Sequence, residues 1–411
     1  MHSVFSPCSA IILAVLVALV PTTVHSLTLD IDKEALRLLK RSIDPNTIPK
    51  ASYISSWDFS TDPCESTGGQ FQGILCSVPL DNNARSRITA IDLDSAGYDG
   101  FLAPSIGNLT ELTALNLGRN NFRGPIPVSM SNLRKLVSLS LSRNFFTGSI
   151  PVGVASLKKL EMLDLSYNNL SGAIPAKLSG LRSLLHLRLS HNEFSGRIPD
   201  LTGSWQLQTL KLGSNLLYGS LPKFPVNLRT LSLTHNSLSG RISQIGKLQH
   251  LVTLDLSYNR FTGLITQEIL TLPEVVRIDV SVNHFTAIEV PKFAGRETRL
   301  QQLDAQANLL RGHMPINLVT IEKLTSINLS NNQFSGPIPS EYGVKLGTSW
   351  RSLYLDHNFL GGNLPPQFGI ASVRMRGSLA NNCLLCPQNV RLCRGGQRPV
   401  SECVGLNDDN E

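Results

Sequence analysis

Long apolar runs are scarce in this sequence, and its first 26 residues contain no lysine, arginine, aspartate or glutamate. The longest apolar run, IILAVLVALV at 11–20, is too short for a comfortable membrane span and precedes a cleavage point before Leu27. This pattern predicts a secretory signal over residues 1–26 and no membrane span elsewhere. We therefore expect a protein secreted to the extracellular space or the cell wall.

Cysteine is absent between residues 77 and 382, so all of the cysteines outside the signal lie near the two ends. They are Cys64, Cys76, Cys383, Cys386, Cys393 and Cys403. An even number in an oxidising compartment favours disulfides, and we expect one between Cys64 and Cys76. The last four resemble a zinc-binding spacing, but no histidine lies among them, so disulfides are favoured there too. The sequence leaves their three pairings open.

Clusters of aromatic and basic residues that would stack nucleic-acid bases are also missing. The net charge of +7 therefore favours an acidic polysaccharide or an acidic protein as partner, and not nucleic acid. No phosphate-binding loop, nucleophile elbow or zinc-protease motif occurs. We predict that the chain is not an enzyme and needs no cofactor or metal.

A repeat of about two dozen residues fills most of the chain. The asparagine of L-x-L-x-x-N recurs from Asn120 to Asn358, and Ala96 takes its place in an earlier unit, IDLDSA. The twelve units are spaced by 21 to 26 residues. This period predicts an α/β leucine-rich-repeat solenoid, a curved superhelix of about 12 repeats.

The recurring letters have structural roles. Leu163 and Leu165 alternate with polar residues, which directs them into the core of a short strand. The asparagine amide can bond backbone groups of neighbouring turns, and Gly-x-Ile-Pro, as in GPIP at 124–127, turns the chain back.

The ends of a solenoid need caps, because its terminal cross-sections are apolar. We expect a signal at 1–26, an N-terminal cap at 27–86, repeats at 87–378 and a cysteine-rich cap and tail at 379–411. Within the first cap, a helix over 30–43 should bury Ala35, Leu38 and Leu39.

The N-terminal helix, W…DPC…GILC and the Gly-x-Ile-Pro repeats resemble the extracellular parts of plant leucine-rich-repeat receptor kinases and receptor-like proteins. The ending NNCLLCP…C…GQRPVSEC is most similar to the group that includes the Piriformospora indica-insensitive proteins and Too Many Mouths. The chain departs from receptor kinases in having no membrane span or kinase. The turn motif is also missing after Asn283, where AIEVPKFAGRETRL follows.

The resemblance implies a recognition module of plant cell-surface signalling, which binds a peptide or a membrane receptor-kinase ectodomain on its concave face. The alternative is a secreted inhibitor of a cell-wall-degrading hydrolase, similar to the polygalacturonase-inhibiting proteins. We favour the first, because those inhibitors are shorter and their cysteine-rich ends differ. A third, weaker hypothesis is a structural role in which the C-terminal cap binds pectate through Arg374, Arg376, Arg391, Arg394 and Arg398.

Exposed strand positions form the candidate ligand-binding site on the concave face, and the residues that depart from the recurrent Asp and Ser are the most informative. The basic members are His186, Arg188, His191 and Lys211, and the acidic members are Asp255, Asp279 and Asp304. Arg188 and Lys211 lie at equivalent positions of adjacent strands and should repel unless an anion lies between them. Protonation of the histidines should strengthen the basic half as pH falls toward about 5–6. A tolerated mixture of surface residues is the alternative interpretation.

Three N-x-S/T sequons occur, at Asn108, Asn169 and Asn328. We predict glycans at Asn108, which lies well outside a strand, and at Asn169, which follows a ladder asparagine into the turn. Asn328 occupies a concave-face strand position, where we expect partial or no occupancy.

Overall fold

The computed structural model describes residues 27–65, 69–77, 85–290, 292, 298–371 and 375–403. The predicted signal at 1–26, the tail after Cys403 and Arg374 lie outside the described residues. The α-helices are short after the first and comprise Asp30–Arg41, Gln267–Leu270, Ser340–Lys345, Gln367–Ala371 and Val400–Cys403. None of the helices in these ranges is long and apolar enough to cross a membrane.

One sheet of 14 strands runs the length of the protein, and we call it the inner sheet. Its first strand, Ile74–Ser77, is antiparallel to the second, whereas the following pairs are parallel. The others are Arg87–Asp92, Ala114–Asn116, Ser138–Ser140, Met162–Asp164, His186–Arg188, Thr209–Lys211, Thr230–Ser232, Thr253–Asp255, Arg277–Asp279, Gln302–Asp304, Ser326–Asn328, Ser352–Tyr354 and Arg376–Ser378. Since each strand comes from one repeat, the predicted leucine-rich-repeat solenoid is confirmed.

The repeated leucines and asparagines hold successive repeats together. Leu163 and Leu165 are fully buried, as their alternation predicted. The Asn168 amide donates to the carbonyl oxygens of Leu141 (3.0 Å) and Leu165 (3.1 Å), and its oxygen accepts from the Phe146 amide (2.9 Å). Each such asparagine links neighbouring repeats by pairing backbone groups at the turn.

A second set of strands, the outer sheets, forms just after each ladder asparagine. The nine-stranded sheet contains Asp99–Phe101, Asn121–Pro125, Phe145–Gly148, Asn169–Ala173, Glu193–Gly196, Leu216–Gly219, Ser237–Gly240, Arg260–Ile265 and His284–Ile288. The four-stranded sheet contains Arg311–His313, Gln333–Gly336, Phe359–Asn363 and Cys383–Leu385. The two sheets meet at the unit where the Gly-x-Ile-Pro turn is missing. Elsewhere that glycine adopts the left-handed conformation the turn requires, as at Gly124 (φ +80°).

Short 3₁₀-helices form half of the connections between the outer and inner strands and also occur in both caps. They are Pro45–Thr47 and Ile54–Ser56 in the N-terminal cap, Pro104–Asn108, Val128–Asn132, Val152–Ser156, Ala176–Gly180, Ser243–Lys247 and Ile316–Thr320 in the repeats, and Arg391–Cys393 in the C-terminal cap.

The N-terminal cap closes the first end of the inner sheet. Its helix buries Asp32, Ala35, Leu36 and Leu39, so the prediction of Leu38 on the buried face was wrong. Leu38 is 37% exposed because the buried side chains follow the i, i+3, i+4, i+7 spacing from Asp32. The buried Asp32 carboxylate accepts a hydrogen bond from Nε of Arg87 at 2.9 Å. The expected Cys64–Cys76 disulfide is present.

The repeats extend one unit further than the sequence predicted. Asn382 makes the ladder contacts, with its amide donating to the carbonyl oxygens of Leu355 (3.0 Å) and Leu379 (3.1 Å). This thirteenth parallel strand was missed because Gly377 stands where the pattern has leucine. An added Cβ at Gly377 would lie 1.9 Å from the Leu353 carbonyl oxygen. The pairings left open at this end are Cys383–Cys403 and Cys386–Cys393.

Candidate functional site

Side chains from successive inner strands form rows across the sheet. The first row lies six positions before the ladder asparagine and contains His186. The second row lies four positions before it and contains Arg188. A third row, one position before the asparagine, contains His191, and we call it the turn row. It lies beyond the strand, in a left-handed turn at φ +57° in the case of His191. The interpretation of His191 as a strand residue was therefore wrong.

The second row brings Arg188 and Lys211 together. They are direct partners in the parallel register, as predicted. On the other side, Arg188 is aligned with Asp164, whose Oδ2 lies 3.6 Å from its Nη1. Asp164 of the preceding repeat thus supplies a counter-charge for Arg188. The pairing is loose, and Nε of Arg188 is shielded from solvent without a hydrogen-bond partner among the described residues.

Both histidines of the basic half have a lowered pKa, which favours their neutral form. Burial, followed by the charge of Arg188, lowers the pKa of His186, whose Nδ1 lies 3.1 Å from Oγ1 of Thr209. Burial, followed by His235 and Arg143, lowers the pKa of His191. Protonation therefore needs a more acidic medium than the sequence interpretation assumed, and the gain in positive charge near pH 5–6 is smaller.

The acidic end occupies the same second row. Asp255, Asp279 and Asp304 are successive partners in the parallel register. Burial, and also the charge of Asp279, raises the pKa of Asp304. Asp279 has a cation beside it, because Nη2 of Arg277 lies 3.7 Å from its Oδ2. The row therefore changes from positive to negative along the solenoid, with part of each charge balanced locally.

The recurring aspartate is also structural. Oδ1 of Asp255 accepts from the amide of Ser257 (3.1 Å) and from its hydroxyl (2.7 Å). Asp279 and Ser281 repeat both contacts. The Asp-x-Ser letters thus stabilise the turn that leaves each strand.

The turn row contains a set of stacked side chains that sequence reasoning missed. The Arg143 guanidinium lies 4.2 Å from the centre of the Tyr167 ring, and that ring stacks on His191 with centroids 4.1 Å apart. His235 and Tyr258 form a second stack, again at 4.1 Å. Between the two stacks the row has Ser214. Comparing the residues one position before the asparagine in successive repeats would have revealed this series of aromatic and histidine side chains.

A shallow depression of about 360 Å³ joins the second row to the turn row. Its lining includes Arg188, His191, Lys211 and Ser214. The structure therefore places three of the predicted basic residues around one concavity. His186 lies in the first row of the same strand and does not line it.

A larger depression of about 1040 Å³ lies nearer the C-terminal end of the inner sheet. It is lined by Gln301, Gln302, Thr325, Ser326 and Ser352 and by three cations, Lys323, Arg351 and Arg376. No carboxylate of the described ranges lies within 4.0 Å of these three cations. Of them, only Arg376 was singled out from the sequence.

The sequons differ in accessibility. Asn108 and Asn169 are exposed. Nδ2 of Asn328 is engaged with Gln306 Oε1 (3.0 Å) and Asp304 Oδ2 (3.2 Å). Glycan attachment would replace one hydrogen of Nδ2, so at most one of these two hydrogen bonds could remain.

Comparisons with known proteins agree with this architecture. The leucine-rich-repeat N-terminal domain family matches residues 29–77. Leucine-rich-repeat families match 147–194 and the shorter units 111–133, 135–157, 227–248, 250–272 and 323–343. These are cap and repeat families, and none is catalytic.

Among curated proteins, Receptor-like protein 32 of Arabidopsis thaliana is 31% identical over 113 residues, which cover 26% of this chain and 13% of that protein. The matched segment thus spans a small part of the relative's length.

Solved structures show the same fold. The plant peptide hormone receptor RGFR1, in complex with RGF2, has a TM-score of 0.64 and 30% identity, over 74% of this chain and 53% of that one. The Arabidopsis receptor kinase HAESA, in complex with the peptide hormone IDA and the co-receptor SERK1, has a TM-score of 0.58 and 25% identity, over 87% and 66%. A plant ice-binding protein has a TM-score of 0.56 and 27% identity, over 76% and 89%. Sequence, cap and fold together show a leucine-rich-repeat solenoid that is similar to plant receptor-like proteins and receptor ectodomains.

Proposed function

We propose that the protein is an extracellular recognition module that binds a peptide or a receptor ectodomain on the exposed face of its inner sheet. The observation that carries the proposal is the reversal of charge along the second row, from Arg188 and Lys211 to Asp255, Asp279 and Asp304. The similarity to RGFR1 and HAESA, both solved with peptide hormones, supports it. The fold alone does not support a role in peptide binding, because a plant ice-binding protein has a similar fold.

The row has the dimensions of a short extended ligand. Arg188 and Asp304 lie on the first and last of six adjacent strands, and the five spacings of about 4.8 Å between these strands give roughly 24 Å. An extended peptide of about seven residues has this length. A ligand that is acidic at one end and basic at the other would bind in one direction only, because reversing it would bring like charges together.

Capture of plant receptor ectodomains or peptides by the immobilised protein tests the proposal. The double variant Arg188→Glu, Lys211→Glu should weaken binding about tenfold or more and reduce its dependence on salt. Lys177→Glu with Arg182→Glu is the matched control, because both residues are exposed, lie in or beside the 3₁₀-helix Ala176–Gly180, and give the same change in net charge. Equal affinity of the two double variants, with unchanged circular dichroism, would exclude this face as the binding site.

A hydrolase assay separates the recognition module from the inhibitor alternative. We expect no loss of polygalacturonase activity when the protein is added in excess. Stoichiometric inhibition would replace recognition by enzyme inhibition as the function.

Acidic cell-wall polysaccharide is a proposed second partner. The depression with Lys323, Arg351 and Arg376 supports it, because these cations have no carboxylate within 4.0 Å among the described residues. Retention on immobilised polygalacturonate should fall in the Lys323→Gln, Arg351→Gln variant and persist in Arg188→Gln, Lys211→Gln. Loss of retention in Arg188→Gln, Lys211→Gln but not in Lys323→Gln, Arg351→Gln would assign polymer binding to the depression that Arg188 and Lys211 line.

Secretion and the finer kinship are also proposals. Recovery from extracellular fluid with an N-terminus at Leu27 would establish the signal. The cysteine spacing of the C-terminal cap supports membership of the Piriformospora indica-insensitive and Too Many Mouths group. The proposed location of the protein is the extracellular space or the cell wall.

A further inference from the structure

The turn row combines a uniform backbone with very different side chains. Each of its positions from Arg143 to Tyr258 is left-handed, with φ between +52° and +58°. Non-glycine residues are uncommon in this region, and the repeat imposes it here on bulky aromatic residues. Since the backbone repeats so closely, differences along the row arise from the side chains alone.

Four of these side chains form two stacks that point toward a common gap. Tyr167 and His191 make the first stack, and their ring planes are 15° apart. His235 and Tyr258 make the second, also 15° apart. A hydrogen bond of 2.8 Å between Thr234 Oγ1 and Nδ1 fixes the His235 ring. Ser214, which is half-buried, is the one residue between His191 and His235 in the row.

The gap has the width of one planar group. The repeats that carry His191 and His235 are two strand spacings apart. Two strand separations of about 4.8 Å give about 10 Å, and two ring separations of 4.1 Å, as in the existing stacks, give about 8 Å. The two imidazoles are therefore about 8–10 Å apart. A ring inserted midway would lie about 4–5 Å from each imidazole, within the range of stacked aromatic pairs.

The charges beside the gap select among planar groups. Arg188 and Lys211 line the depression that opens onto Ser214, and Arg143 ends the first stack. Three nearby cations disfavour a guanidinium and favour an uncharged ring with an acidic neighbour. Burial and the surrounding positive charges lower the pKa of His191, which favours its neutral form.

We propose that the gap over Ser214 is a slot for one aromatic side chain of an extended peptide, stacked between His191 and His235, with the carboxylate of the adjacent ligand residue on Arg188 and Lys211. This inference rests on the proposed peptide-binding function and specifies the ligand that the basic half accepts. The Arg188 side chain is 37% exposed and its contact with Asp164 is loose at 3.6 Å, which leaves the guanidinium able to bind that carboxylate.

Ser214→Tyr is the diagnostic variant, because it should fill the slot without disturbing the fold. Tyr167 and Tyr258 already occupy this row at φ +58° and +53°, close to the +55° of Ser214. Ala307→Tyr is the matched control, at φ +53° in the same row and on the acidic side.

The probe is the peptide Gly-Ser-Asp-Tyr-Gly-Ser-Gly, compared with versions that carry Leu for Tyr or Asn for Asp. Binding is followed by proton NMR of the imidazole Hε1 signals, assigned from the His191→Gln and His235→Gln variants. The Tyr peptide should shift both signals upfield through its ring current and bind about tenfold more tightly than the Leu version. Ser214→Tyr should abolish the shifts, and Ala307→Tyr should retain them.

Equal binding of the Leu peptide, unchanged binding to Ser214→Tyr, or no histidine shift at millimolar peptide would each overturn the slot. These outcomes leave the proposed function open to its own test, since the Arg188→Glu, Lys211→Glu variant is scored by ectodomain or peptide capture. Loss of capture in that variant with a failed slot would retain the binding face and reject only the aromatic site.

Discussion

Replacing Asn215 with leucine should lower the free energy of unfolding by about 3 kcal/mol. Oδ1 of Asn215 accepts from the Phe194 amide at 3.0 Å. Its Nδ2 donates to the carbonyl oxygens of Leu189 and Leu212, both at 3.0 Å. Leucine has nearly the same size but can make none of these hydrogen bonds.

The magnitude follows from what each partner retains. The Leu189 carbonyl oxygen also accepts a hydrogen bond from Nδ2 of Asn192 (3.1 Å), and the Leu212 carbonyl oxygen accepts one from Nδ2 of Asn236 (3.1 Å). Both carbonyls therefore stay hydrogen-bonded in the variant. The Phe194 amide loses the Asn215 oxygen, and leucine supplies no replacement acceptor. Its burial without a hydrogen bond costs about 1–3 kcal/mol, and each of the two other lost bonds about 0.5–1.5 kcal/mol. Better burial of the leucine side chain offsets part of this loss.

Urea unfolding followed by circular dichroism and tryptophan fluorescence measures the difference. Asn121→Leu is the control, because Asn121 is exposed and its side chain donates one bond, to the Gly97 carbonyl at 3.1 Å. Because a repeat array can open locally, hydrogen exchange at the Phe194 amide is measured as well. Equal stability of Asn215→Leu and Asn121→Leu, or unchanged protection of Phe194, would refute the ladder argument.

Three further predictions concern modification, redox state and pH. Glycopeptide mapping should find glycans at the exposed Asn108 and Asn169 and little or none at Asn328, and full occupancy of Asn328 would show that its contacts with Asp304 and Gln306 are dispensable. Reduction should make the chain protease-sensitive first near 60–80 and 380–403, because the disulfides lie only in the caps, and initial cleavage within the repeats would contradict this. The folded state lowers the pKa of His186 and His191, so the unfolded chain binds more protons, and their contribution to stability is present above the unfolded pKa of about 6.5 and lost as pH falls through the folded values. The difference in Tm between neutral and acidic buffer should therefore shrink in His186→Gln, His191→Gln, and an undiminished difference would assign the pH dependence to other groups.

The sequence by itself determined the architecture. The period of the leucines and asparagines specifies a solenoid, because buried leucines alternate with exposed residues and an asparagine amide can satisfy the turn between repeats. Leu163 and Asn168 behave as this reasoning requires. The alignment also placed Arg188 beside Lys211 and Asp255 beside Asp279, since equivalent positions of successive repeats become neighbours in a parallel sheet.

Only the tertiary structure decided how those neighbours interact. The balance of Arg188 by Asp164, the stacking of His191 on Tyr167 and the gap over Ser214 depend on side-chain orientation across strands, which the repeat pattern does not encode. The thirteenth strand was hidden because Gly377 avoids a clash with the backbone of the preceding repeat instead of filling the core. The C-terminal pairings could not be read from spacing, since they depend on how the chain folds over the last repeat. Patterns within a repeat fix which side chains are buried, whereas contacts between residues about two dozen positions apart depend on three-dimensional geometry.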